Sequence, residues 1–206
     1  MALLVVGGHS RSVGKTSVVA GLVSALRERN WTAVKITQYG HGICSADGAS
    51  CDCATADHSW AISEETDRSG KGDTSRFLLA GAQRSLWVRT RQGYLAEAMP
   101  ALRRRIADAE DVILESNSVM KFLRPDLYLV VLDFATADFK ASAREYLDRA
   151  SAVVLHEPAG TPAWSDVSLK LIAGKPTFRI RPPQYATQEL VSFVRERLAM
   201  AAPRRT

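Results

Sequence analysis

The run Gly8-His9-Ser10-Arg11-Ser12-Val13-Gly14-Lys15-Thr16-Ser17 holds the residue types that grip a polyphosphate. It follows the short apolar stretch Leu3-Leu4-Val5-Val6 and opens onto Val18, Val19, Leu22, Val23 and Leu26, which recur at helical spacing. A strand that feeds a glycine-bearing turn and then a helix gathers successive backbone N–H groups and the positive helix end around one point. Lys15 at the helix start is expected to reach the β- and γ-phosphates of a nucleoside triphosphate, and the Thr16 hydroxyl to bind Mg²⁺. The plain form of this loop leaves four residues between its glycines. Here His9 occupies the position that spacing would give to glycine, so five residues lie between Gly8 and Gly14.

Other residues could share the chemistry. Glu115 closes the apolar stretch Val112-Ile113-Leu114 at what would be the carboxyl edge of a sheet, where open α/β folds bind ligands. A carboxylate there could bind Mg²⁺, directly or through water, or polarise a nucleophilic water. The following Ser116-Asn117-Ser118 would line the same cleft. Lys35 interrupts the apolar run Ala33-Val34-Lys35-Ile36. It reads either as a holder of phosphate or an acidic substrate group, or as an edge lysine whose ammonium reaches water. Asp73 opens a helix and reads either as its N-cap or as a Mg²⁺ or substrate ligand, with Arg76 one turn on. The catalytic set is thus Lys15, Lys35 and Glu115, and the Mg²⁺ set is Thr16, Asp73 and Glu115. His156-Glu157 follows a later strand, in a place suited to reading a base or to a plain turn before Pro158.

All three cysteines lie in one short segment, as Cys44, Cys51 and Cys53, with His41 before them and His58 after. An odd, clustered set argues against a disulfide framework. Three thiols and an imidazole would suit tetrahedral Zn²⁺, with His41 and His58 competing for the fourth place. Reduced thiols in a loop are the alternative.

The elements that must position these residues alternate in type. Strands are expected at Leu3–Val6, Ala33–Ile36, Leu86–Val88, Val112–Leu114, Leu127–Leu132, Ala152–Leu155 and Thr177–Ile180. Helices are expected from Lys15, from Asp73, over Tyr94–Ala109 with Pro100 as a kink or restart, over Phe139–Ala150, and after a Thr187 cap. Residues 39–72 lack periodicity and read as an irregular insert. Strands apolar throughout and alternating with helices predict a three-layer α/β fold. Its mostly parallel sheet would have about seven strands covered on both faces. The length of 206 residues suits a single domain spanning the chain. A net charge of +5, spread over Arg103-Arg104-Arg105 and scattered sites, lacks the basic stripe with interleaved aromatics of a nucleic-acid surface. No apolar run reaches membrane-spanning length and no signal peptide is apparent, so a cytoplasmic protein with no nucleic-acid or membrane partner is expected.

Four places carry a resemblance to a known family. They are Gly14-Lys15-Thr16-Ser17 after a short strand, Ala33-Val34-Lys35, Gly72-Asp73-Thr74-Ser75-Arg76 leading to Ala80-Gly81-Ala82, and Glu115 after its apolar strand. In these the chain resembles the MobB-like P-loop proteins, the molybdopterin-guanine dinucleotide biosynthesis adaptor group. The spacing of the loop and the lysine on the second strand are similar to dethiobiotin synthetase. The resemblance implies a P-loop fold, GTP or ATP with Mg²⁺, slow GTPase or ATPase activity, a protein partner in cofactor assembly and a homodimer. Two alternatives stay open. One is a metallochaperone GTPase, similar in concept to the nickel-insertion GTPases, using the cysteine-bearing insert. The other is an ATP-dependent ligase or kinase of the dethiobiotin synthetase kind. No Asn-Lys-x-Asp guanine signature is present to choose the base.

Overall fold

The computed structural model describes residues 1–39 and 59–201. The elements run β1 (Ala2–Gly8), α1 (Lys15–Ala25), β2 (Trp31–Tyr39), β3 (Trp60–Glu64), α2 (Asp73–Ala80), β4 (Arg84–Arg91) and α3 (Leu95–Arg105). They continue with β5 (Asp111–Glu115), β6 (Leu127–Leu132), α4 (Ala141–Arg144), β7 (Ala152–His156), β8 (Thr177–Ile180) and α5 (Gln188–Ala199). Among the described residues, eight strands form one sheet in the order β3-β4-β2-β5-β1-β6-β7-β8. Every neighbouring pair is parallel except β3 with β4.

The central strands need no polar face because both of their faces are covered. On β1, Leu3 and Val5 pack with Val130 of β6 and with Ala98, Met99 and Leu102 of α3. The alternate residues Leu4 and Val6 pack with Val18, Val19 and Leu22 of α1 and Leu190 and Val194 of α5. The period-two reversal of side chains along a strand thus feeds two separate apolar layers, one on each side of the sheet. Helices on both faces complete the expected three layers, and no helix among the described residues is long and apolar enough to cross a membrane.

Four local expectations are corrected. β3 lies inside the segment read as irregular. Its Trp60 and Ile62 pack against the core with the exposed Ala61 between them, an alternation too short to stand out among the polar residues around it. The helix expected over Phe139–Ala150 is only α4 and a 3₁₀ turn at Leu147–Arg149; Lys140, whose amide donates to the His9 carbonyl at 2.8 Å, is extended and takes the N-cap position of α4. Pro100 lies inside α3 without restarting it. Gly72, not Asp73, takes the N-cap position of α2, which places the Asp73 side chain on the first turn.

Candidate functional site

β1 sits between β5 and β6, and all three are parallel, so their carboxyl ends meet at one edge. Register does the rest. Glu115 pairs with Val6 on one side and with Lys35 on the other. Residues in register across a parallel pair project to the same face, so the strand-end carboxylate and the strand-two lysine become neighbours although they are 80 positions apart in the chain.

The loop between β1 and α1 is shaped by backbone that reverses sharply. Ser12 and Gly14 both have positive φ, 53° and 81°. A side chain at Gly14 would be strained in that conformation and would come within 2.7 Å of the Tyr185 ring. At Gly8, an added Cβ would meet the Lys15 stem and Val13 at 2.9 Å. Gly8 is further clamped by Asn117, whose Oδ1 accepts from the Gly8 N–H at 2.9 Å and whose Nδ2 donates to the Gly8 carbonyl at 2.8 Å. His156 Nε2 donates to the Val13 carbonyl at 3.0 Å, so this residue braces the loop from β7. At the helix start, Val18 N–H bonds back to Gly14, which leaves the preceding amides of the first turn without intrahelical acceptors, as at any helix N-terminus.

His9 belongs to the loop's support. Its N–H donates to the Val131 carbonyl and its carbonyl accepts from Lys140. Its fully buried ring reaches the Thr136 carbonyl at 3.2 Å and packs on Phe139 and Trp164. Burial lowers its pKa below the ordinary histidine value, against the pull of those carbonyls. Ser10 Oγ donates to Asp138 at 2.6 Å.

The chemical groups converge on Thr16 and Glu115. Thr16 Oγ1 donates to Glu115 Oε2 at 2.8 Å, and both residues are buried. Lys35 Nζ lies 2.5 Å from Glu115 Oε1, 2.8 Å from Asp73 Oδ2 and 3.3 Å from Thr16 Oγ1. Burial works against the Lys35 charge, but Glu115 and Asp73 outweigh it and hold its pKa above the ordinary lysine value. Lys15 Nζ donates to the Ser10 carbonyl at 2.6 Å, and burial pushes its pKa down to about 8. Arg76 from α2 donates to Ser17 Oγ at 2.9 Å. The hydroxyl of Thr16 and the carboxylate of Glu115 are hard oxygen donors of the kind Mg²⁺ accepts, directly or through water, and they fit the ion.

The structure therefore brings together Lys15, Thr16, Ser17, Lys35, Asp73, Arg76 and Glu115. The sequence reading missed Lys140, Asp138 and the clamp by Asn117. Asp138 and Lys140 follow an apolar strand, but only the placement of β6 beside β1 turns that into a signal. His41, Cys44, Cys51, Cys53 and His58 lie outside the described residues. Among the described residues, no three His, Cys, Asp or Glu side chains cluster as a metal site would require.

No family model matches the chain. No curated protein matches its sequence. Solved structures do match. HypB from Helicobacter pylori, in complex with nickel, superimposes with a TM-score of 0.53 at 14% identity, covering 100% of this chain and 92% of that one. LpxK from Aquifex aeolicus, in complex with ATP, gives a TM-score of 0.47 at 18% identity over 87% of this chain and 53% of that one. The fold is that of the P-loop nucleoside triphosphatases.

Proposed function

We propose that this chain binds a nucleoside triphosphate with Mg²⁺ in the loop of residues 8–17 and hydrolyses it slowly, as a MobB-like accessory protein in cofactor assembly. The observation that carries the reading is the contact of Thr16, Glu115 and Lys35 at the helix N-terminus that the loop feeds. Bound Mg²⁺ would neutralise phosphate charge and orient the terminal phosphoryl group. Thr16 and Glu115 would hold it. Glu115 would otherwise accept from a water, and the bond from Lys35 holds that carboxylate in place. Lys15 exchanges the Ser10 carbonyl for a phosphate oxygen, a stronger, charge-assisted partner. The amides of Ser12 to Thr16 and the helix dipole supply the remaining attraction.

The test is fluorescence titration with N-methylanthraniloyl derivatives of GTP and ATP, with and without Mg²⁺, followed by single-turnover hydrolysis. Binding that needs Lys15 and hydrolysis that needs Mg²⁺ support the reading. A wild-type protein that binds neither nucleotide overturns it.

The metallochaperone reading is favoured by one observation. Gln92 N–H bonds the Tyr39 carbonyl and Arg91 N–H bonds the Ser59 carbonyl, both at 2.8 Å. The segment carrying Cys44, Cys51 and Cys53 therefore leaves and rejoins the described chain at the end of β4, on the sheet edge that holds the site. Elemental analysis for zinc and nickel, on wild type and on Cys51→Ser and Cys53→Ser, decides it. Metal near one per chain that both variants lose supports the reading, and a metal-free, reduced wild type ends it.

A further inference from the structure

Residues 138–140 are fastened to the loop more firmly than a surface turn requires. Asp138 accepts from Ser10 Oγ at 2.6 Å, and the Lys140 N–H donates to the His9 carbonyl at 2.8 Å. Between them, the Phe139 ring packs on His9 at 5.2 Å between centroids. This double attachment fixes where the Lys140 side chain begins. Lys140 is half-buried, and among the described residues it forms no ion pair, whereas Lys35 has two carboxylates.

Lys140 stands among several other cations. Arg11, Lys35 and Lys15 repel it or are repelled by it, while Asp138, which also accepts from Ser10, and Glu115 act in the opposite sense without making an ion pair with it. Burial, then repulsion from Arg11, holds its pKa below the ordinary lysine value. Like charges gathered at a partly buried site cost free energy that a multiply charged anion removes. The charge of Lys140 is felt by Lys15 and by the Lys35–Glu115 pair, the groups expected at the terminal phosphates.

We propose that Lys140 is a further phosphate-binding lysine, reaching the terminal phosphate of a bound nucleoside triphosphate from the β6 side of the loop. The proposal rests on the nucleotide-binding reading above. It makes the loop after β6 a part of the site that distinguishes a triphosphate from a diphosphate.

The experiment titrates wild type, Lys140→Ala and Lys140→Arg with N-methylanthraniloyl GTP, GDP, ATP and ADP in the presence of Mg²⁺. Lys140→Ala is expected to weaken the triphosphate by about tenfold or more while changing the diphosphate by less than about threefold. Lys140→Arg keeps the charge and should restore most of the triphosphate affinity. The ligand-free melting temperature of Lys140→Ala should equal or exceed that of wild type, since the change removes a repelled charge, which separates lost binding from lost folding. Equal triphosphate affinity in wild type and Lys140→Ala, or an equal loss for triphosphate and diphosphate, overturns the proposal and leaves the nucleotide reading standing. A wild type that binds none of the four overturns both.

Discussion

Lys15 is charged against its surroundings. Its pKa falls from 10.5 to about 8, chiefly through burial, while the unfolded chain keeps the ordinary value. Between those two values the unfolded state binds more protons, so stability rises with pH across that window, and near neutral pH the Lys15 charge costs stability. Lys15→Met keeps the apolar stem beside Gly8 and Val13 and removes the charge. It is expected to raise the ligand-free melting temperature by a few degrees, about 2–4 °C for each kcal/mol relieved, and to abolish nucleotide binding, as thermal melts with and without Mg²⁺-nucleotide would read. Phosphate raises the pKa of a bound lysine. Wild-type affinity should therefore be flat on the acid side of about 8 and fall as pH rises through it. An affinity that rises there would contradict the assignment. Glu115→Gln preserves shape but removes the anion that meets both Thr16 and Lys35. Mg²⁺-dependent hydrolysis should fall by roughly 10²-fold while Mg²⁺-free nucleotide binding changes little, and an unchanged turnover would remove Glu115 from the mechanism.

At the scale of elements, the loop works because strand, turn and helix are joined without slack. Gly14 supplies the left-handed residue immediately before α1, and Tyr185 closes the space a methyl would need. Gly14→Ala should destabilise the protein by about 1–2 kcal/mol and weaken nucleotide binding. Gly160→Ala, with no atom within 4 Å of the added methyl, serves as the control and should do neither. A Gly14→Ala variant with wild-type binding would show that the loop tolerates a different path. The same economy explains the start of α1 at Lys15 and of α5 after Thr187, whose hydroxyl accepts from the Leu190 N–H. Both starts were legible in the sequence, because a glycine turn and a threonine cap act within a few residues of themselves. The start of α4 was not legible, since its N-cap Lys140 bonds to His9, far away in the chain.

At the scale of the molecule, sheet order decides which residues meet. Putting β5 between β2 and β1 places Glu115 beside Lys35, and putting β6 on the other side of β1 brings Asp138 and Lys140 to the loop. The segment 40–58 joins this frame at Tyr39 and Ser59, which are each fastened to the end of β4. Replacing it with a short flexible linker should leave the melting temperature and Mg²⁺-nucleotide binding close to wild type and remove any metal bound through Cys44, Cys51 and Cys53. A collapse of nucleotide binding in that variant would instead make the segment part of the nucleotide site.

Local chemistry was readable along the chain. The glycine loop, the lysine and threonine at a helix start, and apolar strands alternating with helices follow from backbone sterics and hydrophobic period, which act over a few residues. Lys35, Asp73 and Glu115 could be suspected one at a time, the first two with a bland alternative, a snorkelling lysine and a cap. Only tertiary structure could supply their partners, because a buried charge is tolerated or not according to groups tens of residues away. The pairing of Glu115 with Lys35, the diversion of Asp73 from cap to counter-ion, and the burial of His9 under Trp164 are all such decisions. They arise from parallel register across strands that sequence order does not make neighbours.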